Sequence, residues 1–542
     1  MRFKKNNDDK NINKNITDIN SLLDDDRKQS FNEKKTYEKK DFSENNLLKA
    51  ESFDKEPRKF RDIKSVFKKK NGSNHEEKKP LTAQDIVKEN KRTKRIKKNM
   101  TAMVVIFVLM FVSLIGYTSY SMAMYGSKWF ASPYNTRVKH QKDKITPGDI
   151  YDVNGLVMAT ADSQGNRTYP QSEEARKANA HVLGDQYGIT SGGAEALYSK
   201  YIYGFNLNAI DRIVQAFKAQ KSKGNDVTLT ADSDLNKYIY EQMSGKTGAV
   251  VVMNYKTGAI IGSVSRESFD INKVQELAKE KHNSEESFFL NKVTMGKYPP
   301  GSTFKLITAV SALENMSDAA TRTYNSSSDI TMNGEKITNF DRDSHGNINL
   351  ENALKVSSNT YFAQLARDLG KSNLTKTAEN FGFNSNFMFD DVIMASSSYN
   401  GGKTDNQLAW SSVGQHQDLV TPLHMCMIVS AIANNGQMME PKNLLSVKDS
   451  LGSSIYTMRP KKVRQVTSPE IAKKMQAMMK GVVESGTGRN AAVKGLTIGG
   501  KTGSAETGKS THAWFVGYIE SDQTPYAVAI VLENAGTGGK NA

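Results

Sequence analysis

The hydrophobic pattern changes character along the chain. Residues 1–99 are rich in Asn, Lys, Asp and Glu and carry no apolar periodicity. Such a stretch buries too little apolar surface to offset chain entropy, so a disordered tail is expected there. From Thr101 to Ser127 no residue is charged, and Val104 to Val112 is apolar throughout. A membrane-spanning helix is predicted over 100–127. Residues 128–223 read as a small stalk or dimerisation-like module, with a helix around Leu207 to Gln220. Residues 224–542 form a larger unit with strands near both ends. Those runs are Ala249–Met253, Ala259–Val264, His512–Ile519 and Tyr526–Leu532. Helical patterns lie between them, as in Phe304, Leu306, Ile307, Val310 and Leu313. The Lys- and Glu-rich segment from Arg266 to Asn291 is expected to cover a sheet edge as a solvated helix. The class is α/β, in the α+β sense, without an internal repeat.

Charge orients the apolar segment. Lys91 to Lys98 holds six basic residues in eight. Positive flanks stay in the cytoplasm, so the N-terminus is expected inside and the larger unit outside. Tyr117, Tyr120, Tyr125 and Trp129 would mark the outer interface. The charged leader is too long for a cleaved signal peptide, which makes this a signal anchor. Of the net charge of +16, the first 99 residues supply +11. The basic balance therefore belongs mainly to the tail, which would be attracted to anionic lipid headgroups. Lys and Glu are mixed there and aromatics are few, so nucleic acid is not an expected partner. The single cysteine, Cys426, excludes an intramolecular disulfide and sits in an apolar run flanked by Met425 and Met427. It reads as core.

Three short polar motifs carry the chemistry. Ser302-Thr303-Phe304-Lys305 places a serine and a lysine on one face of a helix start, after the breaker Tyr298-Pro-Pro-Gly301. Such a pair can form a nucleophile with its own base. Ser357-Ser358-Asn359 can move protons and hold a substrate amide. Lys501-Thr502-Gly503 can clamp a carboxylate and line an oxyanion hole. Together they describe acyl transfer on a peptide-like substrate. Singly each is weak. Ser65–Lys68, Ser398–Asn400, Lys246–Gly248 and Lys256–Gly258 repeat the same spellings in a polar tail, a loop and two strand-flanking turns.

These motifs and their surroundings resemble the class B penicillin-binding proteins, the monofunctional peptidoglycan D,D-transpeptidases, of a short-stalk type. The likeness extends through Tyr298–Lys305, Lys355–Phe362 and Lys501–Glu506, and through Gly224–Thr230, Gly414-Gln415, Val420–Leu423 and Ala431–Gly436. It covers roughly residues 145–542. It implies the penicillin-recognising serine transpeptidase fold, a mainly antiparallel sheet flanked by helices. The 147–155 box carries Pro147 where many relatives carry arginine. The sequence stops just after its last strand, where relatives usually continue into a helix; either it is clipped or the fold closes differently, and a missing helix would expose apolar sheet surface.

The resemblance also implies roles. Ser302 would be the nucleophile and Lys305 its base, kept neutral by burial and by the like charge of Lys501. Ser357 would bridge Lys305 and Lys501 and pass a proton to the leaving amine. Asn359 would hold the substrate backbone. Thr502, Gly503 and Ser504 would bind the substrate, the two hydroxyls taking its terminal carboxylate. The N–H groups of Ser302 and Ser504 would form the oxyanion hole. The substrate would be a peptidoglycan stem peptide, on a lipid-linked precursor or nascent glycan, ending in D-Ala-D-Ala. β-Lactams would be covalent inhibitors, and a SEDS-type glycosyltransferase the expected partner. No cofactor is expected, and no zinc-spaced Cys/His set is present; His416 and His512 read as structural. The location would be the bacterial cell membrane, single-pass. Rival readings are a β-lactamase or β-lactam sensor of the same fold, or a non-catalytic cell-wall scaffold.

Overall fold

A computed structural model describes residues 82–542, apart from 131–144, 163, 191, 205–222, 281–287, 341 and 509. The tail before residue 82, including Ser65, and the helix expected near Leu207–Gln220 lie outside the described residues.

The first described element is one helix, Ala83–Phe130, of 48 residues. At ~1.5 Å per residue it is roughly 70 Å long, about twice the hydrocarbon thickness of a bilayer. It begins well before the predicted residue 100, so the segment 83–99 is helical rather than disordered. Thr82 and Asp85 explain the start. The Asp85 carboxylate accepts from the Thr82 hydroxyl at 2.6 Å and from its N–H at 3.2 Å. No proline or glycine interrupts the Lys/Arg-rich turns that follow. The part up to Ser121 contains a stretch long and apolar enough to cross a membrane, and its apolar side chains are exposed in the isolated chain. This fits a single-pass membrane protein.

Past residue 144, five strands build the central antiparallel sheet: β1 (Gly248–Asn254), β2 (Ile260–Arg266), β3 (Ile498–Glu506), β4 (Thr511–Ile519) and β5 (Tyr526–Leu532). The order is β3-β4-β5-β1-β2, so β5 pairs with β1 and joins the two ends of the unit. β3 is an edge strand. Alternation on β1 sends Ala249, Val251 and Met253 into the main core and Val250 and Val252 to the other face. Helices of the main core include α1 (Lys305–Asn315), α2 (Leu350–Val356), α3 (Asn359–Leu369), α4 (Pro422–Ala433) and α5 (Pro469–Ser485). α4 is buried almost throughout, and Cys426 within it is fully buried, as its apolar setting predicts. On the other face, beside Leu235, an apolar hollow of ≈ 340 Å³ is lined by Val252, Phe515, Tyr518 and Val528.

A second sheet of six strands departs from the expected module boundary at 223/224. Its order is Ser454–Thr457, Leu444–Lys448, Asp226–Leu229, Ile150–Tyr151, Val157–Ala161 and Arg167–Thr168. Three of the six come from beyond residue 223. Long-range pairing created this sheet, and local pattern gave no hint of it. The segment from Arg266 also differs from expectation. It holds a short helix, Val274–Glu280, and Phe269, Ile271 and Val274 are buried in the core of the six-stranded sheet.

Candidate active site

Ser302 sits in a 3-10 turn, Gly301–Phe304, that leads into α1. The sequence pattern predicts an α-helical start; the tighter turn eclipses residues i and i+3 and so aligns Ser302 with Lys305. Gly301 makes the turn feasible. Its φ is +55°, and a Cβ there would lie 2.8 Å from the Ser504 carbonyl oxygen. Its N–H donates to the Gly414 carbonyl at 2.8 Å. Gly503 serves the same approach from β3, where a Cβ would meet the Thr303 methyl at 2.9 Å.

The second motif lies between two helices. Ser357 ends α2 in the left-handed region, φ 60°, and Ser358 caps α3 by accepting the Tyr361 N–H at 3.0 Å. Ser358 therefore does the capping, which leaves the Ser357 and Asn359 side chains free to face Lys305. A non-glycine residue at positive φ costs on the order of 1–3 kcal/mol, and such strain collects at functional sites.

The Lys305 amine is fully buried and meets four oxygens. Its Nζ lies 2.9 Å from Ser302 Oγ, 2.6 Å from the Ser357 carbonyl, 3.2 Å from Ser357 Oγ and 2.7 Å from Asn359 Oδ1. Asn359 is oriented by its Nδ2, which donates to the Thr338 carbonyl at 2.8 Å. The carbonyl and amide oxygens can only accept. A neutral amine has two N–H bonds and one lone pair. Giving the N–H bonds to those two oxygens leaves the lone pair for the Ser302 proton. Burial, reinforced by the Lys501 charge, pushes the Lys305 amine well below the usual lysine range.

Lys501 is also fully buried, on β3. Its Nζ donates to Ser357 Oγ at 2.8 Å and to the Thr502 carbonyl at 2.7 Å. Burial lowers it to about 7. The half-buried hydroxyls of Ser302 and Ser357 border these two amines. All eight residues singled out in the sequence converge here: Ser302, Lys305, Ser357, Asn359, Lys501, Thr502, Gly503 and Ser504.

The repeats of the motifs stay apart from this cluster. Lys256 pairs with Asp522, the Lys246 amine donates to the Asn541 carbonyl, and Ser398 pairs with Leu419 across an isolated bridge. His512 accepts the Asn534 N–H and packs edge-on to Tyr298. Among the described residues no acidic, Cys or His cluster has metal-binding geometry.

Two neighbours escaped sequence reasoning. The Thr502 hydroxyl donates to the Thr487 hydroxyl at 2.7 Å, and the Gly538 N–H reaches Ser504 Oγ at 3.4 Å. Gly486-Thr487-Gly488, ending a long helix, was the available signal for the first.

A buried lysine against a serine, a second lysine joined to it through a hydroxyl, and an edge strand beside them define a serine acyltransferase site. Comparison with known proteins is specific. Residues 248–542 match the family described as penicillin binding protein transpeptidase domain. Penicillin-binding protein 3 of Bacillus subtilis is 28% identical over 440 residues, 73% of this chain and 63% of that protein. Peptidoglycan D,D-transpeptidase PbpA of Mycolicibacterium smegmatis is 27% identical over 438 residues, 76% of this chain and 89% of that protein. The penicillin G acyl-enzyme complex of penicillin-binding protein A from M. tuberculosis superposes with a TM-score of 0.66 at 26% identity, covering 73% of this chain and 96% of that one. The chain belongs to the penicillin-binding protein transpeptidase family, and its relatives place it in class B.

Proposed function

We propose that this protein is a membrane-anchored peptidoglycan D,D-transpeptidase. The observation that carries the reading is the 2.9 Å contact between the buried Lys305 amine and Ser302 Oγ. Neutral Lys305 takes the Ser302 proton as Oγ attacks the carbonyl of the penultimate D-Ala. The N–H groups of Ser302 and Ser504 stabilise the oxyanion, each worth about 3–4 kcal/mol in comparable sites. The C–N bond breaks, a proton reaches the leaving amine through Ser357 Oγ, and D-alanine departs. Asn359 holds the donor backbone, while Thr502 and Ser504 hydroxyls and the Lys501 charge take the terminal carboxylate. The amine of a second stem peptide attacks the Ser302 ester, forms the cross-link and returns the hydroxyl.

The edge position of β3 supports this binding mode, because an extended peptide can add to an unpaired strand edge. β-Lactams would acylate Ser302 by the same first step. The Lys/Arg run before the apolar segment supports a cytoplasmic N-terminus, with the catalytic unit outside. A polytopic SEDS-type glycosyltransferase is the proposed partner.

The test is fluorescent-penicillin labelling of wild type and Ser302→Ala, followed through a chase of hours. A stable label lost in the variant is the expected result. Label that disappears within minutes would make the protein a β-lactamase. Absence of label on folded wild type would make it a scaffold.

A further inference from the structure

We infer that Thr487 is a positioning residue for the anionic end of the acyl donor, acting through Thr502. The inference rests on the acyl-transfer reading above. Thr487 is exposed, follows the end of α5, and was not part of any motif read in the sequence. Thr502 lies beside it on β3 and is nearly buried.

A hydroxyl has one proton. To hold a carboxylate oxygen, Thr502 must donate that proton outward. In the free site it donates instead to Thr487 Oγ1, at 2.7 Å. An arriving carboxylate requires the pair to reverse: Thr487 donates to Thr502, and Thr502 donates to the anion. A hydroxyl that accepts one hydrogen bond becomes a better donor in the next, so the pair binds an anion more strongly than Thr502 alone. A neutral ligand end offers no charge to drive the reversal and gains little.

Thr487 is held in place for this task. Its N–H donates to the Lys355 carbonyl at 3.1 Å, two residues before Ser357. Asn490 Nδ2 donates to the Gly539 carbonyl at 2.8 Å, and a Cβ at Gly539 would lie 2.9 Å from the Thr487 carbonyl oxygen. Thr487 thus links the loop carrying Ser357, the strand carrying Thr502 and the turn at Gly538–Asn541.

The experiment measures acylation efficiency with benzylpenicillin and with its methyl ester, by competition against fluorescent penicillin. Wild type, Thr487→Val and Thr487→Ser are compared, each with its melting temperature. Thr487→Val is expected to lose ~10-fold toward benzylpenicillin, to change little toward the ester, and to regain the loss in Thr487→Ser. Equal losses for both ligands, or none, would overturn the inference while leaving acyl transfer intact. Wild type that takes no label would overturn the acyl-transfer reading and this inference with it.

Discussion

Lys305 and Lys501 converge on one hydroxyl: Ser357 Oγ lies 3.2 Å from the first amine and 2.8 Å from the second. Two like charges cannot both persist at that spacing in a buried site. Burial, reinforced by the Lys501 charge, therefore favours neutral Lys305, while burial alone lowers Lys501 to about 7.

The first prediction follows for pH. Lys305 must be neutral and Lys501 charged for acylation by a carboxylate-bearing donor. Acylation should therefore fall as pH rises above about 7, where Lys501 loses its proton. It should fall on the acid side where Lys305 gains one, at a pH well below the ordinary lysine range. Stopped-flow acylation rates across pH 5–10 check this bell; a rate that keeps climbing with pH would contradict the assignment to Lys501.

Stability should move the other way. The folded Lys501 amine is at about 7, against an unfolded value near 10.5. Between these values the unfolded chain binds more protons, so stability rises with pH across that window. Lys501→Met should be more stable than wild type at pH 7, with a gap that narrows toward pH 10, and should acylate poorly. Urea unfolding at several pH values reads the gap.

Asn359→Asp tests how Lys305 is kept neutral. Asn359 Oδ1 is 2.7 Å from the amine. A carboxylate there favours the ammonium form and raises its titration point. Acylation should drop at pH 7 as the acid limb moves upward toward the alkaline limb set by Lys501, narrowing the bell. A uniform loss at every pH would assign Asn359 to substrate binding alone.

Gly301→Ala should cost about 1–3 kcal/mol, because φ is +55° and the new methyl would press on the Ser504 carbonyl. It should also separate the two oxyanion donors and suppress acylation more than ~100-fold. Chemical denaturation and penicillin labelling measure the two effects independently.

Beside the six-stranded sheet, Arg167 on its edge strand and Glu195 on the short helix Ala194–Leu197 form a buried ion pair, and Arg167 also donates to the Gly148 carbonyl at 2.6 Å. Glu195→Ala strands a buried guanidinium and should destabilise by about 3–5 kcal/mol. The double change Arg167→Met with Glu195→Leu should recover much of that. Thermal melts of the three proteins decide it.

The chemistry was legible in the chain because it depends on residue types at short, fixed spacing. Ser302 and Lys305 share a face in any helix-like turn, and an apolar run near residue 104 suits only a membrane or a core. The flanking sequence separated Lys501-Thr502-Gly503 from its two imitators: it lies within the strand Ile498–Glu506, whereas they sit in the turns before and after Gly248–Asn254. Distance along the chain hid the rest. Residues 444–457 join strands near residues 150 and 226 through backbone pairing, which carries little trace in side-chain pattern. The helical start at Ala83 turned on a Thr82–Asp85 cap amid residues whose composition reads as solvated tail.

Sequence by itself determined which groups can react, which segment is apolar enough for a bilayer, and the order of the central strands along the chain. Tertiary structure alone decided that eight residues spread over two hundred positions meet, that Ser357 takes the left-handed conformation, and that Thr487 touches Thr502. The physical reason is burial: a lysine's proton affinity and a hydroxyl's orientation depend on what excludes water around them, and that is supplied by segments remote in sequence.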